Sequence, residues 1–311
     1  MALALVFPGQ GSQSVGMLAE LAGLNAIVRR TYEEASGALG YDLWQLTASG
    51  PAEQLNKTEC TQPAMLVAGV ATWRLWQERG GRTPERVAGH SLGEFSALVC
   101  AGALDFVATV KLVRERGRLM QAAVPEGSGA MAAILGLDEV AAEAACVDGA
   151  QGEVVEAVNY NAPGQIVIAG QLRAVERAIA AAKARGAKRA ILLPVSVPAH
   201  SSLLKGAAAQ FQERLAELNI SAPTIRYVSA VDAAEHATVE DIRAVLGRQL
   251  ASPVRWTATV QALTAAGVTL LAECGPGKVL TALNRRIERR PEVSCMAIED
   301  AASLQAALSA T

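Results

Sequence analysis

The residues most able to do chemistry are Gly89-His90-Ser91-Leu92-Gly93, a G-x-S-x-G pattern. An apolar run (Val87, Ala88) precedes it and a helical pattern (Glu94–Cys100) follows, the strand-turn-helix setting in which such a serine is a nucleophile. A sharp turn there pushes the hydroxyl out of the sheet edge, and the flanking glycines remove side chains that would clash. The same turn aims the Leu92 N–H and the helix N-terminus at any oxyanion formed nearby. The bland alternative is a glycine-bounded turn whose serine only caps the helix.

A nucleophilic serine needs a base, and the chain has three histidines, His90, His200 and His236. His90 adjoins Ser91 on a tight turn, where neighbouring side chains diverge. His236 lies in a polar stretch before a helix that Thr238 and Asp241 can start, and reads as a solvated loop residue. His200 follows the apolar run Ile191–Val197 and a stiffening Pro198, which places it on a loop beyond a strand. Elimination selects His200, whose neutral imidazole can take the serine proton and return it to a leaving thiol. Asp105, Asp138 and Asp148, the aspartates between Ser91 and His200, occupy no convincing strand end. The expectation is a Ser-His dyad with the imidazole oriented by a backbone carbonyl or an amide.

Thr109–Met120 reads as a helix with Lys111, Arg114, Glu115 and Arg118 on one stripe. Arg116 falls in the opposite stripe, among Leu112, Val113, Leu119 and Met120. A guanidinium there is costly unless paired. It forms either an internal salt bridge or a bidentate receptor for a substrate carboxylate, of which malonyl is the simplest acyl example. The spacing does not choose between them.

The elements that must position these groups alternate short apolar runs with amphipathic helices, which predicts an α/β fold with a largely parallel sheet. Core strands are expected at Leu3–Phe7, Arg86–Gly89, Ile225–Ser229 and Val268–Glu273, with helices at Pro63–Glu78, Phe106–Ala123, Ser202–Leu218 and Val279–Arg286. From about Gly129 to Ser196 the pattern changes to β-α-β-β-α-β, a ferredoxin-like unit ending in a strand over Ala190–Val195. The expected division is a large domain from 1–126 and 198–311, with a subdomain inserted at 127–197 and a cleft between the lobes.

Composition narrows the classes. The chain has 311 residues, 51% hydrophobic and 4% aromatic, with a net charge of −2, so it has a substantial core and no basic bias toward nucleic acid or anionic membranes. Five scattered cysteines without C-x-x-C fit a reducing compartment and no metal site. The apolar start is short, lacks a basic lead and runs into Pro8-Gly9, so it reads as a strand rather than a signal peptide, and the location as cytoplasmic. Gly9, Gly11 and Gly16 miss the dinucleotide spacing, and Gly275-Pro-Gly277-Lys278 misses that of a phosphate loop.

Taken together, Phe7-Pro-Gly-Gln-Gly-Ser-Gln13, Gly89-His-Ser-Leu-Gly-Glu94, Arg116-Gly117, Asn159-Tyr-Asn-Ala-Pro-Gly164, Val195-Ser-Val-Pro-Ala-His200 and Glu273-Cys-Gly-Pro-Gly277 stand in one order. Across essentially its whole length the chain resembles the malonyl-CoA:acyl-carrier-protein transacylases of bacterial fatty acid synthesis. The resemblance implies an α/β-hydrolase-like large domain with the ferredoxin-like insertion. It also implies Ser91 as nucleophile, His200 as base, Arg116 as the malonyl-carboxylate clamp, and Gln10 as a second oxyanion N–H beside Leu92. Gln249 would orient His200 through its backbone carbonyl. The implied partners are malonyl-CoA and an acyl carrier protein, met as a monomer without nucleic acid, membrane, metal or bound cofactor. A basic patch should receive the acidic carrier, at Arg185, Lys188 and Arg189 or at Arg285, Arg286, Arg289 and Arg290, unless these are merely solvated faces.

Overall fold

Residues 2–195 and 197–311 are described by a computed structural model. Its strands are β1 (Leu3–Phe7), β2 (Arg86–Gly89), β3 (Gly129–Leu135), β4 (Val155–Ala162), β5 (Gln165–Gln171), β6 (Arg189–Leu192), β7 (Arg226–Val228), β8 (Glu235–His236), β9 (Leu270–Cys274) and β10 (Ser294–Ile298). They form two sheets. The larger has the order β10-β9-β1-β2-β7-β8, parallel from β10 to β7 and closed by the antiparallel pair β7–β8. Every residue of β1, β2 and β9 is buried, as expected of strands covered on both faces. The 21-residue helix Thr58–Glu78 is buried over most of its length against this sheet and against the helix Phe106–Ala122.

The second sheet is antiparallel, with the order β4-β5-β3-β6, and carries the helices Glu139–Ala150 and Leu172–Ala184. The β-α-β-β-α-β chain order with the first and third strands central is the ferredoxin-like arrangement read from the sequence. The two helices meet closely at Gly149, where a Cβ would lie 2.6 Å from the Ala178 nitrogen. Strand β4 also pairs with the larger sheet's side of the molecule. Tyr160 N–H donates to the Val254 carbonyl at 2.9 Å, and Val254 N–H to the Val158 carbonyl at 2.8 Å.

Three readings need correction. The strand foreseen over Ala190–Val195 runs only over Arg189–Leu192; Leu193 keeps one bond to β3, its N–H donating to the Met131 carbonyl at 2.9 Å, and Leu193–Val195 line the cavity described below. Its neighbour Ser196 lies outside the described residues. The helix from Ser202 opens as a 3₁₀ turn, Ser202–Leu204, before the α-helix Lys205–Ala216. His236 is not a solvated loop residue: it belongs to β8 opposite Tyr227, its side chain 15% exposed and bonded to Asp232. Among the described residues no helix is long and apolar enough to cross a membrane.

Candidate active site

Backbone sterics build the nucleophile turn. At the end of β2, a Cβ on Gly89 would fall 1.9 Å from the Gly93 carbonyl carbon, and one on Gly93 would fall 2.0 Å from the Phe7 oxygen. With that room, the chain reverses from strand into the helix Gly93–Cys100, and Ser91 adopts φ 52°, a left-handed conformation uncommon outside glycine. His90 N–H donates to the Phe7 carbonyl at 3.0 Å, pinning the turn to β1. Leu92 is the helix N-cap, so the positive end of the helix faces the serine.

Ser91 Oγ lies 2.8 Å from His200 Nε2. His200 is also left-handed, at φ 68°, with its backbone N–H donating to the Leu250 carbonyl. Its Nδ1 faces two carbonyl oxygens, Gln249 O at 3.0 Å and Ser252 O at 3.1 Å. Two acceptors at Nδ1 put the ring proton there and leave Nε2 as the acceptor for the serine hydroxyl. Burial, and then the charge of Arg116, push His200 down to about 3, so the imidazole is neutral and available as a base. His90 turns away to Asn161 Oδ1 at 2.8 Å. The three aspartates have other work: Asp105 and Asp138 cap helices, and Asp148 pairs with Arg185.

Arg116 is 1% exposed in the helix Phe106–Ala122. The helix can seat it because Gly117 leaves no side chain against the neighbouring backbone; a Cβ there would lie 2.7 Å from the Thr58 oxygen. Nη1 donates to Gln62 Oε1 at 2.9 Å and meets the Met120 sulfur at 3.3 Å. Nη2 donates to Gln249 Oε1 at 2.8 Å and reaches Ser91 Oγ at 3.3 Å. Nε is buried without a hydrogen-bond partner among the described residues. Among the described residues no carboxylate forms an ion pair with Arg116, so the salt-bridge alternative is not realised. Burial brings the guanidinium down to about 10, opposed by the charge of Glu94, and it remains a cation at neutral pH. Each terminal nitrogen thus has one good amide acceptor and one poor partner that a carboxylate oxygen can replace.

Ser91, Leu92, Arg116, His200 and Gln10 line a single cavity of about 590 Å³. Met131 and Val167 of the small sheet form part of its apolar wall. Gln249 is fully buried behind the charged side of the site, its side chain on Arg116 and its backbone carbonyl on His200. The geometry can move a proton from Ser91 to His200 and hold an anionic group beside the serine.

Four contributors escaped the sequence reading. Gln62 anchors Arg116, and Glu94, Tyr227 and Ser229 form a buried polar cluster beneath Gln249. A signal existed for Glu94, an acid inside the otherwise apolar run after Gly93, and for Gln62, an amide in a helix of buried apolar residues.

Residues 4–302 match the acyl transferase domain family. Over 305 residues the chain is 56% identical to the malonyl CoA-acyl carrier protein transacylase of Salmonella typhimurium, covering 98% of each chain. An acyl carrier protein S-malonyltransferase structure from Vibrio cholerae superimposes with a TM-score of 0.95 at 55% identity, covering 98% of this chain and 99% of that one. A malonyl-transacylase solved in complex with its type II PKS acyl-carrier protein gives a TM-score of 0.98 at 53% identity, covering 100% of both. With this likeness extending over the whole nucleophile turn and cavity, the chain is an acyltransferase and belongs to the malonyl CoA-acyl carrier protein transacylases of the acyl transferase family.

Proposed function

We propose that the protein moves malonyl from malonyl-CoA to the phosphopantetheine thiol of an acyl carrier protein through a malonyl-Ser91 intermediate. The observation that carries this reading is the buried, still cationic guanidinium of Arg116, 3.3 Å from Ser91 Oγ and lacking a carboxylate partner. In the first half-reaction His200 Nε2 takes the Ser91 proton as Oγ attacks the thioester carbonyl. The N–H groups of Gln10 and Leu92 receive the oxyanion, the C–S bond breaks, and the CoA sulfur leaves with the proton from His200. In the second, the carrier thiol gives its proton to His200 as its sulfur attacks the malonyl ester, the C–O bond breaks, and Ser91 Oγ leaves with that proton from His200. Arg116 holds the malonyl carboxylate throughout, so an acetyl group lacks the contact that orients it. No step calls for a metal or bound cofactor.

The carrier as acceptor is supported by the relative solved with its acyl-carrier protein. The five cysteines are all free and buried, which fits a reducing, cytoplasmic setting. Of the two basic clusters, Arg185 is occupied by Asp148 and Arg290 by Glu288, while Arg286 bonds Gln165 and the Pro163 carbonyl.

The test is intact-protein mass spectrometry after brief mixing with malonyl-CoA or acetyl-CoA. Wild type is expected to carry malonyl, Ser91→Ala nothing, and Arg116→Ala to lose malonyl but not acetyl loading. An absent adduct, or acetyl loading equal to malonyl on wild type, would overturn the reading in favour of a hydrolase or an idle thioester-binding protein.

A further inference from the structure

Among the described residues the proposed steps leave two buried carboxylates unused: Glu273, which accepts from the Leu280 and Thr281 N–H groups of the helix Val279–Ile287, and Glu94, beside the site. Glu94, at the start of the helix behind Ser91, is 1% exposed. Its Oε1 accepts from Gln249 Nε2 at 2.8 Å, and its Oε2 from Ser229 Oγ at 2.7 Å and from the Tyr227 hydroxyl. Burial pushes this carboxyl up, against the donors of Tyr227, Ser229, Gln249 and the Ala230 N–H, which pull it down. The Ala230 N–H can only donate. Ser229 Oγ already accepts from the Val231 N–H, so its own proton goes to Glu94. The surroundings are built for an anion.

Together with the Ser91 carbonyl, that anion sets which way the Gln249 amide faces. Nε2 sits between two acceptors, Glu94 Oε1 and the Ser91 carbonyl at 3.0 Å, so only the NH₂ end fits there. The amide oxygen is therefore turned to Arg116 Nη2. Reversed, Gln249 would point donor at donor. Gln62, the other anchor, has no such lock among the described residues: there its Nε2 meets only the Met120 sulfur.

We infer that Glu94 is a positioning residue for acyl selectivity, acting through the Gln249 amide to orient Arg116 and to supply its remote counter-charge. A carboxylate in direct contact would neutralise the guanidinium and fill the fork that the substrate must use. One amide removed, it stabilises the cation and leaves the fork open. The inference rests on the proposed malonyl transfer.

The experiment measures initial rates of Ser91 loading by malonyl-CoA and acetyl-CoA on intact protein, in wild type, Glu94→Gln, Tyr227→Phe, Arg116→Ala and the Glu94→Gln/Arg116→Ala double variant. Glu94→Gln removes the charge and weakens the lock to the Ser91 carbonyl alone, and the malonyl-to-acetyl ratio is expected to fall on the order of ten-fold or more, the range of a lost charge-assisted contact. Tyr227→Phe keeps the charge but removes one of the two donors on Oε2, so a smaller fall in the same direction is expected; this variant also carries the test if Glu94→Gln does not fold. In the Arg116→Ala background, Glu94→Gln should leave the ratio unmoved. A ratio unchanged in the folded single variants, equal losses for both acyl groups, or an effect that persists without Arg116 would each overturn the inference. Wild type that loads neither acyl group overturns the malonyl reading with it, whereas wild type that prefers malonyl with an unshifted variant ratio overturns this inference alone.

Discussion

The nucleophile turn and the arginine clamp meet at Ser91 and are held by different physics. The turn is a local steric object: Gly89, Ser91 and Gly93 are neighbours in sequence, and their constraints come from backbone atoms in direct contact. The clamp is assembled from afar, with Arg116 bonded to Gln62 54 residues away and to Gln249 133 residues away. A steric turn fails abruptly when filled, because backbone cannot yield. A hydrogen-bonded clamp degrades contact by contact, and its parts can be ranked.

The sharpest way to break that contrast is Gly89→Ala. With a Cβ 1.9 Å from backbone, the variant is expected to lose about 3 kcal/mol or more of stability and all Ser91 loading. Gly206→Ala is the matched control, since a Cβ there, in the helix Lys205–Ala216, meets nothing within 4 Å. It should stabilise by roughly 0.5–1 kcal/mol through helix propensity. Chemical denaturation of both variants decides the matter, and a Gly89→Ala protein as stable as wild type would show that the turn is not sterically fixed.

Within the clamp, Gln249 and Gln62 offer a graded comparison. Gln249→Leu strips an acceptor from Arg116 and leaves Glu94 and the Ser91 carbonyl short of a donor, so malonyl-CoA kcat/KM should drop on the order of 100-fold. Gln62→Leu removes one acceptor and a weak sulfur contact, for about ten-fold or less. Equal losses would mean that the clamp is not anchored more firmly on its Gln249 side.

The same contrast governs what the sequence disclosed. The turn was legible because spacing records local sterics, and Arg116 because helical periodicity put a cation among apolar neighbours. The small sheet could be ordered from its strand-helix alternation. The larger one could not, since β1 pairs with β9, setting Leu3 opposite Leu270, and no local pattern records such a pairing. Strand β10 was missed because charged residues crowd its approach and Ser294 opens it. Glu94 could have been noticed as an acid in an apolar helix. Its partners Tyr227 and Ser229 lie in and just after the three-residue strand β7, and nothing in the sequence points from there to a glutamate more than a hundred residues earlier.

The smallest expected effect is a flat acid limb. A histidine base with the ordinary value of 6.5 would be only about one-tenth neutral at pH 5.5, costing roughly ten-fold in kcat/KM. His200 is pushed down to about 3, first by burial and then by Arg116, so kcat/KM for acetyl-CoA loading should change less than about two-fold between pH 8 and 5.5. Arg116→Ala removes the neighbouring cation, which disfavours the imidazolium, and so moves the limb upward. Burial remains, so the limb stays below 6.5. Stability follows the same sign. Between about 6.5 and about 3 the unfolded chain binds a proton that the folded His200 refuses, so His200 makes stability rise with pH across that window and erode on acidification. An inflection near 6.5 in wild type would show that His200 is open to water in the working enzyme. An unmoved limb in Arg116→Ala would show that the clamp and the base do not sense each other across Ser91.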